Sequence, residues 1–99
     1  MISRVREITI TPGRMQDLAE EWPRYPGPLA GTEAGLRAAY LFVDPETGRG
    51  LSLTVWEDQA SMEASEAAAE FQDAYAAMDG MFTEHQRTYY DVVCCCDGR

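Results

Sequence analysis

Thirty residues in the middle of the chain constrain its fold more than any other part of the sequence. Residues 36–43 and 51–57 are two apolar-rich runs, and seven residues typical of turns separate them, Asp44-Pro45-Glu46-Thr47-Gly48-Arg49-Gly50. This pattern predicts a β-hairpin. The second run continues into Trp56-Glu57-Asp58 and an alanine-rich, acidic segment that predicts a helix over residues 59–78, with Asp58 as its N-cap and Gly80 after its end. We expect a break in this helix near residues 67–69.

The flanking segments add a strand on each side and one more helix. Residues 5–11 are rich in β-branched side chains and predict the first strand. Thr11 and Pro12 resemble an N-cap and a first helical residue, and apolar residues then recur at helical spacing as far as Trp22. Residues 23–35 contain three prolines and three glycines, which favours a loop, and residues 84–96 predict a last strand.

The order strand, helix, strand, strand, helix, strand predicts a ferredoxin-like, split βαβ fold of the α+β class. Its antiparallel sheet carries both helices on one face, and we expect all of residues 1–99 to form one domain. Leu51, Leu53 and Val55 alternate with polar residues and are expected to meet the helices. Tyr40 and Phe42 belong to a strand that is apolar on both faces, so the other face also needs cover. A second copy of the chain, packed in a two-fold dimer, is the simplest covering layer.

Charge and residue inventory exclude several classes of function. The formal net charge of -9 repels phosphate backbones and anionic membranes, so neither nucleic acid nor membrane is an expected partner. The chain has no Lys and no Asn, which excludes lysine Schiff-base chemistry. Its N-terminus lacks the apolar core of a signal peptide and no stretch is long enough to span a membrane, so we expect a cytoplasmic protein. The consecutive Cys94, Cys95 and Cys96 lack the spacing of a metal site and are expected to be reduced, partly buried strand thiols.

The central segment resembles a known family. Gly35-Leu36-Arg37-Ala38-Ala39-Tyr40-Leu41-Phe42, the hairpin through Leu51-Ser52-Leu53-Thr54-Val55-Trp56-Glu57-Asp58, and Ala60-Ser61-Met62-Glu63-Ala64-Ser65 are similar to the antibiotic biosynthesis monooxygenases, small dimeric α+β barrels. The resemblance implies a homodimer whose two sheets face each other, with ligand pockets inside the barrel or between sheet and helices. It also implies a mixed group of activities, among them cofactor-free oxygenation of phenolic polyketides and haem degradation.

The haem-degrading branch of this family implies an Asn on the first strand, and a Trp and a His on the second long helix. This chain has no Asn, and its comparable helix positions are Ser65 and Tyr75. Haem degradation is therefore not expected.

Three residues of the last strand are candidates for catalysis. His85 is the only histidine, and Arg87 and Tyr89 follow it at spacings of two residues. Because side chains alternate along a strand, we expect all three on one face, where they can exchange protons or stabilise an anion. The alternatives are an exposed strand end for His85 and a surface ion pair for Arg87.

An apolar pocket for a small aromatic molecule is predicted from six further residues, Tyr40, Phe42, Trp56, Phe71, Tyr75 and Met78. Arg4 and Arg6 either add positive charge to this pocket or face acidic side chains outside it. Together with the resemblance, these residues favour a monooxygenase that uses neither a metal nor an organic cofactor. A non-catalytic dimeric binding or accessory protein, and a cyclase or isomerase on the same scaffold, are the alternatives.

Overall fold

The computed structural model describes residues 1–29 and 34–96. Its elements follow in the order β1 (Ile2–Ile10), α1 (Met15–Glu21), α2 (Pro26–Leu29), β2 (Leu36–Val43), β3 (Arg49–Trp56), α3 (Gln59–Ala67), α4 (Ala69–Ala77) and β4 (Phe82–Asp91). The strands form one antiparallel sheet in the order β2-β3-β1-β4. The predicted ferredoxin-like α+β fold is confirmed. In the described ranges, no helix is both long enough and apolar enough to cross a membrane.

The hairpin and the helix that follows it form where the sequence predicts them. The Asp44 N–H donates to the Arg49 carbonyl at 2.8 Å, and Gly48 turns the chain with a φ of 76°. The Asp58 carboxylate accepts the Ser61 N–H at 2.7 Å at the start of α3, and this hydrogen bond lowers the pKa of Asp58. The predicted break in the helix is at Ala68, whose ψ of 144° separates α3 from α4.

The prediction that Leu51, Leu53 and Val55 meet the helices is wrong. Ser52, Thr54 and Trp56 are the buried residues of β3, and their partners on β1 are Arg6, Arg4 and Ile2. We call this side of the sheet the helix face. The opposite side, which we call the free face, carries the three apolar residues of β3 beside Tyr40, Phe42 and Val5. The alternating pattern therefore divided the side chains of β3 into the correct two sets, but the prediction assigned each set to the wrong face of the sheet.

Two apolar clusters hold the helices on the sheet. One contains Ile8, Ile10, Leu18, Met78 and Met81. The other joins Leu36, Trp56 and Met62. Buried polar side chains from the middle of β1 and β3 lie on the same face: Arg4, Arg6, Ser52 and Thr54. The helix face therefore has two apolar regions and a polar stretch in its centre.

The segment between β1 and β2 differs from the prediction. Thr11 does not cap a helix: its carbonyl accepts the Arg14 N–H at 2.9 Å in a tight turn through Gly13, and α1 begins only at Met15. The predicted loop over residues 23–35 begins with a 3-10 turn (Trp22–Arg24) and α2, because proline fits the first positions of a helix. Residues 30–33 of that predicted loop lie outside the described residues.

The last strand is shorter than predicted at its C-terminal end. The pairing of β4 with β1 ends at Asp91 and Ile2, and the Val92 N–H donates to the Met1 carbonyl at 3.0 Å just after it. Cys94, Cys95 and Cys96 therefore follow the strand, and all three are exposed free thiols. The expectation of partly buried strand thiols was wrong.

Candidate functional site

A small cavity lies between the helix face of the sheet and the helices. Its free volume is about 30 Å³. A cavity of this size holds water, whereas a benzene-sized ligand needs about 150 Å³. Its lining residues come from β1, β2, β3, α2, α4 and the turn at residue 22: Arg4, Arg6, Trp22, Tyr25, Pro26, Leu36, Ser52, Thr54, Trp56, Phe71, Ala74, Tyr75 and Met78.

The polar residues of β3 hold two indole rings in the wall of this cavity. The Trp56 Nε1–H donates to Thr54 Oγ1 at 3.0 Å, and the Trp22 Nε1–H donates to Ser52 Oγ at 3.3 Å. A buried indole N–H needs such a partner. Serine and threonine therefore occupy the helix face because they orient the tryptophans.

Three arginines and two glutamates form an ion-pair network along the polar stretch. Arg4 pairs with Glu66 of α3, while Arg87 donates two hydrogen bonds to Glu84, at 3.1 and 3.2 Å. Arg6 lies between them, with its Nε 3.3 Å from Glu84 Oε1. Burial, with the positive charges of Arg4 and Arg87, lowers the pKa of Arg6 to about 10. Arg6 thus stays charged at neutral pH.

Aromatic rings cover this network from the helix side. The Phe71 ring centre lies 5.5 Å from the guanidinium carbon of Arg4 and 5.3 Å from that of Arg6, and the Tyr75 ring lies 5.4 Å from Arg6. These are cation–π distances. Tyr25 contacts Phe71 edge-on, and its hydroxyl lies 2.7 Å from Ser65 Oγ. Phe71, Tyr75 and Tyr25 therefore form an aromatic part of the cavity wall.

Helix α4, which carries Phe71 and Tyr75, is weakly anchored. None of its residues is fully buried, and an extended residue, Ala68, precedes it. Segments with little buried apolar surface open at a lower free-energy cost than the core does.

Arg87 and Tyr89 lie on the helix face, as their pairing with Arg6 and Arg4 of β1 requires. Partial burial acts against the charged form of Arg87, but Glu84 and the Tyr89 hydroxyl outweigh it and raise the Arg87 pKa. Arg87 belongs to the ion-pair network and Tyr89 borders it, both on the edge strand of the sheet.

His85 does not share that face, contrary to the prediction. The pairing of β1 with β4 shifts between Glu7 and Ile8, so His85 is the extra residue of a β-bulge. Its Nε2 lies 2.5 Å from Thr9 Oγ1, on the free face. One inserted residue reverses the alternation, which separates His85 from Arg87 and Tyr89.

The six predicted pocket residues also divide between the faces. Trp56, Phe71, Tyr75 and Met78 line the cavity. Tyr40 and Phe42 stack on each other on the free face, with ring centres 5.8 Å apart, and are 54% and 49% exposed. Phe42 borders an open groove of about 620 Å³, to which Leu51, Arg49 and His85 also contribute. The predicted pocket residues therefore border two separate concave surfaces, one on each face of the sheet.

Trp22 and Tyr25 are the large aromatic lining residues that were not predicted as site residues. Trp22 was predicted to end the first helix, and Tyr25 to lie in the proline-rich loop that follows. A large aromatic within such a loop is a usable signal, since Tyr and Trp are more often buried than the polar residues of exposed loops. Among the described residues, no three His, Cys, Asp or Glu side chains come together in a way that could hold a metal ion.

Comparison with protein families gives one match. A family model described as antibiotic biosynthesis monooxygenase matches residues 1–77, more than half of the chain. A search of curated proteins found no significant match.

Solved structures with the same fold cover nearly the whole chain. SnoaB, a cofactor-independent oxygenase from Streptomyces nogalater, is 14% identical with a TM-score of 0.79, over 95% of this chain and 94% of that one. A Deinococcus radiodurans protein assigned to the antibiotic biosynthesis monooxygenases is also 14% identical, with a TM-score of 0.78 over 98% and 97% of the two chains. Rv0793 from Mycobacterium tuberculosis is 10% identical, with a TM-score of 0.76 over 97% and 98%. At these identities the likeness concerns the fold alone.

Proposed function

Because this chain belongs to the antibiotic biosynthesis monooxygenase family, we propose that it is a homodimeric, cofactor-independent monooxygenase of small phenolic aromatics. The observation that carries the proposal is the cavity on the helix face, where aromatic rings surround buried arginines. Aromatic walls suit a planar ring, and guanidinium groups stabilise the negative charge of a phenolate. The cofactor-independent oxygenase SnoaB, which shares the fold, supports the reaction class.

The proposed chemistry uses the substrate as its own reductant. An ionised phenol transfers one electron to O₂, and the resulting radical pair combines at a ring carbon that bears hydrogen. The phenol proton goes to the new peroxide, giving a hydroperoxide. Loss of the ring hydrogen with cleavage of the O–O bond then gives a quinone and water. The balance is one phenol and one O₂ to one quinone and one water. In this proposal Arg87 and Tyr89, which lie on the helix face beside Arg6 and Arg4, stabilise the phenolate, and the Tyr89 hydroxyl exchanges its proton.

Substrate binding requires the cavity to enlarge. Since its free volume is about 30 Å³, an aromatic ring enters only if Phe71 or Tyr75 moves aside with α4. The same small volume favours the second candidate, a non-catalytic dimeric protein whose interior is filled by its own side chains.

The dimer belongs to the same proposal. Tyr40, Phe42, Leu51 and Tyr90 are each more than a third exposed on the free face, and an apolar sheet face of this kind calls for a covering layer. A second copy that packs there sheet against sheet would also cover the groove beside His85.

Oxygen consumption tests the reaction class. With a panel of phenols that retain a ring hydrogen, we expect uptake of one O₂ per quinone formed, measured with an oxygen electrode and by absorbance. Arg87→Gln should lower the rate at least tenfold, because an anion-stabilising donor is lost. Arg24→Gln, which alters an exposed ion pair with Glu21, is the matched control.

Two results would count against the proposal. The first is no uptake across the panel, which would favour the accessory protein, or a cyclase or isomerase if the substrate changes without consuming oxygen. The second is a larger rate loss in His85→Gln than in Arg87→Gln, which would indicate that the reaction takes place on the free face.

A further inference from the structure

The ion-pair network contains one more positive charge than negative charges. Within the described residues, three guanidinium groups (Arg4, Arg6 and Arg87) meet two carboxylates (Glu66 and Glu84). Arg4 is paired with Glu66, and Arg87 with Glu84. Arg6 is the third cation. This excess is notable in a chain whose formal net charge is -9, because acidic side chains are plentiful elsewhere.

Arg6 is also incompletely satisfied as a hydrogen-bond donor. Its side chain is only 7% exposed, and in the described part of the chain neither its Nε nor its Nη2 donates a hydrogen bond. The Nε lies near Glu84, but not in hydrogen-bonding geometry. A buried charged donor without a partner is costly, so its presence calls for a compensating interaction.

The surroundings of Arg6 define the chemistry of such a partner. Aromatic rings lie on the helix side of its guanidinium, and Trp22 and Trp56 line the same cavity. Free guanidinium N–H groups bind the oxygens of a carboxylate or a phenolate. Because the network has one excess positive charge, a partner with one negative charge would balance it.

We infer that Arg6 binds the anionic oxygen of an aromatic ligand, so that the cavity selects singly charged aromatic anions over neutral aromatics of the same shape. That this ligand is the substrate rests on the proposed function. The inference then names the substrate class as singly charged aromatic anions. The anionic group displaces Phe71 and Tyr75 from the guanidinium of Arg6, and thereby replaces their cation–π contacts with charge-assisted hydrogen bonds.

Binding without turnover tests this inference. 4-Nitrophenol is the probe, because its phenolate and phenol forms absorb at different wavelengths; benzoate is the carboxylate probe, followed through the protein's melting temperature. With the whole protein, we expect bound nitrophenol to ionise at a lower pH than free nitrophenol. Benzoate should raise the melting temperature, and neutral benzamide should not. Arg6→Met should weaken binding of both anions at least tenfold.

Matched variants separate a binding role from a structural one. Arg24→Met removes an exposed arginine and should leave anion binding unchanged. Arg6→Lys keeps the charge without the planar donors and should retain part of the affinity. Near-ultraviolet circular dichroism shows whether Arg6→Met folds. If it does not, the anion affinity of Arg6→Lys is compared with that of wild type, and an unchanged affinity would contradict a binding role for the Arg6 guanidinium.

The outcomes distinguish this inference from the proposed function. Anion binding that depends on Arg6, without oxygen uptake on any phenol, upholds the inference and contradicts the oxygenase. Oxygen uptake that is unchanged in the Arg6 variants, with equal binding of benzoate and benzamide, overturns the inference and leaves the oxygenase standing.

Discussion

Replacing Leu53 with arginine is expected to convert the proposed dimer into single subunits. Leu53 lies in the middle of the free face, between Tyr40 of β2 and Val5 of β1. If a second sheet packs there, each copy would bury one uncompensated charge, and the two-fold axis would bring both charges into the same interface. An uncompensated buried charge costs about 3–5 kcal/mol. The cost of one such charge corresponds to a roughly hundred- to several thousand-fold weaker association, and since the dimer contains two, the loss should be at least this large.

Sedimentation velocity over a range of protein concentrations measures this effect. Ala76→Arg is the matched control, because it adds the same charge on an exposed position of α4. We expect the control to sediment as wild type does and Leu53→Arg to sediment at the mass of one chain. Wild type that is itself monomeric at micromolar concentration, or a Leu53→Arg variant that stays dimeric, would show that the free face is not the interface.

Gly35→Ala is expected to cause a large loss of folding stability. Gly35 has a φ of 87°, and a Cβ added there would lie 2.6 Å from Ser61 Oγ and 2.7 Å from Ser61 Cβ. The left-handed conformation costs a residue with a Cβ about 1–2 kcal/mol. The steric overlap with α3 adds about 1–3 kcal/mol, as in other overpacked sites. The free energy of unfolding should fall by the sum of both, as measured by urea denaturation.

Gly13→Ala separates the two contributions. Gly13 has nearly the same φ, 83°, but a Cβ added there has no atom within 4 Å. The unfolding free energy of this variant should fall only by the cost of the left-handed conformation. Ser61→Gly removes the overlapping atoms, so the double variant Gly35→Ala with Ser61→Gly should be more stable than the sum of the single effects predicts. Equal losses in Gly35→Ala and Gly13→Ala would contradict the close approach of Gly35 to α3.

Local signals in the sequence predicted the elements of this fold well. The turn residues at 44–50 and the N-cap at Asp58 act through hydrogen bonds within a few residues, so no tertiary information was needed to read them. Which face of β3 packs against the helices could not be predicted from local signals. Both faces of β3 carry large apolar side chains, and the choice between them depends on which indoles find hydroxyl partners.

The candidate site was predicted in part, and two β-bulges separate strand residues that strict alternation places on one face. One bulge lies in β2 beside Leu36, which places Leu36 on the helix face while Tyr40 and Phe42 lie on the free face. The other lies at His85 and separates it from Arg87. Strict alternation cannot show a single inserted residue, because the insertion is defined by the partner strand. The four pocket residues that lie in the chain between the two bulges, Trp56, Phe71, Tyr75 and Met78, do line one cavity.

The position of Arg6 also could not be read from composition. The sequence left open whether Arg6 adds charge to the pocket or faces acidic side chains outside it; Arg6 lines the cavity and is buried under α4. Natural proteins retain such costly groups mainly where function requires them. A buried arginine without a full set of partners is therefore the feature that links this fold to a chemical role.

A crystal structure with nitrophenolate bound, grown without oxygen, tests the central claim most directly. The account predicts the nitrophenolate ring between the sheet and α4, its phenolate oxygen within hydrogen-bonding distance of the Arg6 guanidinium, and Phe71 displaced from its present position. A ligand bound only in the groove between Phe42 and His85, with the helix side closed around Arg6 as it is now, would contradict the account.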